Sequence, residues 1–66
     1  MKIELLKPRE LAQELGVHVG TLANWRSQGI GPRYSKLSSS PQAPVRYRRE
    51  DVDAYLAQLT PSRNAA

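Results

Sequence analysis

Gly16 interrupts an apolar pattern of helical spacing that otherwise runs from Pro8 to Gln28, and this break shapes the first half of the chain. Before it, Leu11, Ala12 and Leu15 recur at helical spacing behind Pro8, whose fixed φ suits a first helical position, so a helix is predicted over about 8–15. After it, Val17 points inward, and a second run from about Val19 to Gln28 carries Leu22 and Trp25 on one face until Gly29 closes it. The cap positions of both helices are poor. Lys7 and His18 stand where Ser or Thr is preferred, a loss on the order of 1 kcal/mol each, and Gly20 inside the second helix adds roughly 1 kcal/mol against Ala.

Beyond Gly29 the pattern changes. The Gly-x-Gly-Pro breaker at 29–32 is followed by Tyr34 and Leu37, and Val45 and Tyr47 stand two apart in "PVRYR", so two short strands are predicted. The polar, proline-bounded "SSSPQAP" between them is too long for a tight hairpin, and Pro41 and Pro44 suit an exposed loop better than a ladder. "REDVDAYLAQL" then places Val52, Tyr55, Leu56 and Leu59 as one apolar stripe of a third helix. Thr60-Pro61 is expected to stop that helix, with 61–66 as a frayed tail beyond a single domain over 1–60.

Composition narrows the function. Sixty-six residues leave room for one core and one binding surface. With no cysteine there is no disulfide or thiolate metal site, which fits a reducing cytoplasm, and a lone His18 makes no metal centre. No apolar run approaches the roughly 20 residues of a membrane span, and "MKIELLKPRE" lacks the apolar stretch of a signal peptide, so a soluble cytoplasmic protein is expected. The net charge of +4 favours a polyanionic partner. Its distribution is more informative: from Arg26 to Arg49 there are six basic residues and no acid, and Glu50, Asp51 and Asp53 follow at once. Those acids fall where they favour the dipole of the third helix. The basic block needs another explanation.

Helix, short glycine turn, helix, two strands with a polar tip, then helix is the order of a winged helix-turn-helix: mainly α, with a small two-stranded β-hairpin. The stretches "ELAQELGV" followed by "TLANW", then "GPRYSKL", then "VRYRREDVDAYL" resemble, in order and over nearly the whole chain, the excisionase and AlpA-type branch of the MerR-like winged helix proteins. Phage excisionases are the nearest in pattern. The resemblance implies that the second helix enters the major groove of double-stranded DNA, that the loop between strands is a wing on the backbone or minor groove, and that the last helix closes the core. It further implies binding at clustered sites beside neighbouring copies, DNA bending, and the steering of a phage integrase toward excision.

If Leu22 and Trp25 define the buried face, helical geometry turns Gly20, Ala23, Asn24, Ser27 and Gln28 outward, with Thr21 on the flank and His18 at the helix start. These seven are the expected major-groove set. Asn24 can pair bidentately with adenine, Thr21 can donate to a base or phosphate, and Gly20 and Ala23 permit close backbone approach. The plain alternative is a solvated polar face, and for His18 a simple cap.

The expected phosphate and wing set is Arg26, Arg33, Lys36, Ser38, Ser39, Ser40, Gln42, Arg46 and Arg48. Arg26 lies toward the edge of the buried face and suits a phosphate or a surface ion pair. Strand alternation sends Arg46 to the face opposite Val45 and Tyr47. Without a paired-carboxylate or nucleophile constellation, the chain is expected to be no enzyme and to need no cofactor. Only Thr60 to Ala66 follow the module, so no small-molecule effector is expected. A stand-alone AlpA-like transcription regulator would use the same surface and is the alternative function.

Overall fold

The computed structural model describes residues 3–59. Its elements are β1 (Leu5–Leu6), α1 (Pro8–Leu15), α2 (Val19–Gln28), β2 (Ser35–Lys36), β3 (Val45–Arg48) and α3 (Arg49–Gln58). Pro8 opens α1, and the backbone N–H of extended Lys7 donates to the Glu10 carboxylate at 2.8 Å. That bond is the glutamate half of a capping box, so α1 has a support that the side chain of Lys7 does not supply. His18, by contrast, makes no side-chain cap bond at the start of α2.

Both helices end the same way. Gly16 (φ 71°) and Gly29 (φ 73°) are left-handed, and the following amides return to the last turn: Val17 to the Ala12 carbonyl and Ile30 to the Trp25 carbonyl, each at 2.9 Å. This geometry satisfies carbonyls that the helix leaves open and suits a residue without Cβ. It turns the chain sharply enough for α2 to lie against α1.

The sheet corrects one expectation. It has three antiparallel strands in the order β1-β3-β2, not two. Leu5 lies opposite Arg48 and Leu6 opposite Tyr47, so the segment before α1 becomes an edge strand on β3. On the other side Ser35 pairs with Arg46 and Lys36 with Val45. A two-residue strand shows no alternation of its own, and its partner lies far along the chain.

Leu6, Leu11, Ala12, Leu22, Tyr47 and Val52 form the buried core, with Leu15, Val17, Trp25 and Val45 packed around it. Every layer contributes to this cluster. Truncating a fully buried leucine such as Leu11 or Leu22 to Ala would cost about 2–5 kcal/mol. α3 follows β3 without a break: the Arg49 amide bonds to the Glu4 carbonyl at 3.0 Å, and Glu50 and Asp51 occupy its positive first turn.

The predicted stripe of α3 is only half covered. Val52 is fully buried and Tyr55 half-buried, but Leu56 and Leu59 are 38% and 50% exposed. Leu59 has already left helical geometry (ψ 137°), and no further element lies over this end among the described residues. The expected stop at Thr60-Pro61 and the tail lie outside the described residues.

Candidate nucleic-acid interface

α2 is fixed by its buried face. Leu22 enters the core, and Trp25 packs against Gly31 and tilts onto Tyr55 with ring centroids 6.3 Å apart. Gly31 is left-handed (φ 85°), and a Cβ there would come within 2.7 Å of the indole, so the close approach requires glycine. The turn of the helix then exposes Gly20, Ala23, Asn24, Ser27 and Gln28 together, with Thr21 half-buried at their flank and His18 exposed ahead of them. A Cβ on Gly20 would meet nothing within 4 Å. Packing therefore does not explain why this position lacks a side chain.

Val19, 43% exposed in the first turn, joins the same surface and was not among the expected residues. Its signal was present: once Leu22 and Trp25 face inward, position 19 falls at the other rim of the exposed arc. It leaves an apolar side chain at the rim of an otherwise small and polar face.

The basic residues divide by partner. Among the described residues, ion pairs involve only Arg48 and Arg49. Arg49 bonds both carboxylate oxygens of Glu14, at 2.7 and 2.8 Å, and lies 3.7 Å from Asp53 and 3.9 Å from Glu4. These hydrogen bonds hold the Glu14 carboxyl below the usual carboxylate range and push the Arg49 guanidinium further up. Arg48 makes a looser contact with Glu50 at 3.4 Å. Arg26, Arg33, Lys36 and Arg46 form no ion pair within the described residues; Arg33 and Lys36 are exposed, and Arg46 is half-buried with Nη1 donating to the Val45 carbonyl at 2.7 Å.

Register sorts the wing side chains. Leu6 opposite Tyr47 and Lys36 opposite Val45 lie on the sheet face that covers the core, whereas Leu5 opposite Arg48 and Ser35 opposite Arg46 lie on the other. Lys36 thus projects on the helix side of the sheet and Arg46 on the outer side. The loop between β2 and β3 is built by its own serines. Ser38 Oγ accepts from the Ser40 amide at 3.3 Å, Ser40 Oγ from the Gln42 amide at 3.2 Å, and the Leu37 amide closes the base on the Pro44 carbonyl at 3.1 Å. Such turns order the tip while leaving each hydroxyl hydrogen free to donate. Ser38, Ser39, Ser40 and Gln42 are all exposed.

Arg26 stands apart from the other basic residues. It is half-buried, its Nη1 donates to the Tyr47 hydroxyl at 2.8 Å, and its guanidinium lies 5.8 Å from the centroid of the Tyr34 ring. It flanks a shallow cleft of about 240 Å³ lined by the 29–33 loop and Tyr34.

Among the described residues no group of three or more His, Asp or Glu side chains could hold a metal ion, and no helix is long and apolar enough to cross a membrane. Two short helices meeting at a glycine turn, the second with an exposed polar face, followed by an antiparallel hairpin and by cations that form no ion pair among the described residues, is the arrangement of a DNA-binding helix-turn-helix with a wing. A family model described as a helix-turn-helix domain matches residues 5–60, which takes in every strand and helix of the fold. No curated protein and no solved structure matches the chain. The chain belongs to the helix-turn-helix domain family, and its partner is double-stranded DNA.

Proposed function

We propose that this protein is an excisionase: an architectural DNA-binding protein that occupies clustered sites, bends the duplex and directs a phage integrase toward excision. The observation that carries the DNA-docking part is the exposed arc of α2, where Gly20, Ala23, Asn24, Ser27 and Gln28 share one surface and Gly20 opens onto free space. In this reading α2 enters the major groove. Asn24 pairs with adenine, Val19 and Thr21 flank the contact, and Gly20 and Ala23 let the backbone approach the bases. Arg33, Lys36, Arg46 and the wing serines hold the phosphates, and His18 lies near the backbone at the helix start.

One module of this size covers about a half-site, which is too little for high specificity by itself. Several copies therefore bind side by side. The acidic start of α3 offers the contact: the Glu50 and Asp53 side chains are 76% and 63% exposed despite their links to Arg48 and Arg49, and with Asp51 they meet the basic surface of a neighbour. Charge reversal at these three positions should abolish cooperativity, read as the ratio of tandem-site to single-site affinity.

The functional test is a gel-shift titration on the DNA flanking the protein's own gene, with random duplex as control, followed by footprinting. Tandem, bent sites at an attachment region support the excisionase. A single unbent site at a promoter would instead give the role to an AlpA-like regulator with the same docking surface.

A further inference from the structure

Arg26 leaves the last turn of α2 on the side that faces the wing, and its contacts are internal. The backbone of α2 runs close chiefly to α1, whereas β3 is bordered by β1, β2, α1 and α3. Side chains therefore make the link between the reading helix and the wing. Tyr47 belongs to the central strand and is 1% exposed, so its hydroxyl can neither reach bulk water nor move with the loop. A buried hydroxyl requires a partner, and Arg26 provides it at 2.8 Å. The same guanidinium lies over Tyr34, just before β2, and the Tyr34 and Tyr47 rings are themselves 6.4 Å apart. One planar, charged group thus touches both sides of the wing hairpin while rooted in the reading helix.

We propose that Arg26 is a positioning residue for DNA recognition: its bond to the Tyr47 hydroxyl sets the angle between α2 and β3, so that helix and wing reach one duplex together. This inference rests on the DNA-binding reading above. It gives Arg26 a role different from that of Arg33, Lys36 and Arg46. Those residues attract the duplex, and Arg26 fixes the frame in which it is read. A helix that pivots on Leu22 would still meet DNA through the wing but would lose register with the bases. Specific binding therefore depends on the bond, and non-specific binding does not.

The test uses Tyr47→Phe, which keeps the buried ring and removes only the acceptor, Arg26→Gln, which removes the charged fork, and the double variant. Thermal melts fix a temperature at which all are folded. Affinities for the specific and a random duplex are then measured across a salt series. The expected result is a loss of about tenfold on specific DNA in each single variant, little change on random DNA, an unaltered salt slope, and a double variant no worse than either single one. A salt slope lower by about one in Arg26→Gln, with Tyr47→Phe binding like the wild type, would make Arg26 a phosphate contact and overturn the proposal. Equal losses on specific and random DNA would also overturn it. Wild-type protein that binds no duplex would instead remove the DNA-docking reading on which the proposal stands.

Discussion

The Arg49 corner and the wing corner carry the same kind of residue to different ends. At the first, one guanidinium is held by Glu14, Asp53 and Glu4, and it joins α1, α3 and the residue just before β1. At the second, Arg33, Lys36 and Arg46 form no ion pair among the described residues. Along the chain these residues form a single acid-free block, yet the fold sorts them. A cation already matched inside the protein has little field left for a phosphate, whereas an unmatched one releases counterions when it meets DNA. The basic block is therefore part fastening and part docking surface.

The most damaging way to test that contrast is to neutralise the free corner. With Arg33, Lys36 and Arg46 all changed to Gln, affinity for any duplex should fall on the order of 100-fold near physiological salt, since each released counterion is worth roughly fivefold there. Thermal melts should barely move. Next in size, Asn24→Ala should lower discrimination between specific and random duplex by about 1–3 kcal/mol without altering the salt slope, as competition gel shifts would report.

The fastened corner should answer to acid and not to DNA. Because the folded state depresses the Glu14 carboxyl, its contribution is present above the ordinary glutamate range and disappears as pH falls through the lowered value. Melting temperature should thus drop on acidification, and Glu14→Gln should flatten that limb; an unchanged acid limb in the variant would separate Glu14 from the effect. The smallest effect is the most pointed. Gly20→Ala should stabilise α2 by roughly 0.5–1 kcal/mol in thermal melts, because its Cβ meets nothing, yet weaken DNA binding because the bases need that space.

Most of the fold was legible because its signals are local. Pro8, Gly16 and Gly29 bound α1 and α2 where the sequence punctuates them, and Leu22 with Trp25 set the orientation of α2. What escaped depends on distant residues. β1 exists because Leu5 and Leu6 meet Arg48 and Tyr47, and no local pattern announces a two-residue strand. Leu56 and Leu59 continue a helical stripe, but no neighbouring element covers them among the described residues. The help that Glu10 gives Lys7 could have been read three residues on. The internal use of Arg26 and Arg49 could not, since their partners are set by tertiary geometry. The exposure of the expected groove face agrees with helical geometry, and its contact with bases stands as a proposal.

The division of the arginines is tested most directly by a salt titration of one specific duplex with wild type, Lys36→Gln and Arg49→Gln, at a temperature where all three are folded. The slope of log affinity against log salt should fall by about one for Lys36→Gln and stay at the wild-type value for Arg49→Gln. An equal fall in both would contradict the account, because Arg49 would then be facing phosphate and not Glu14.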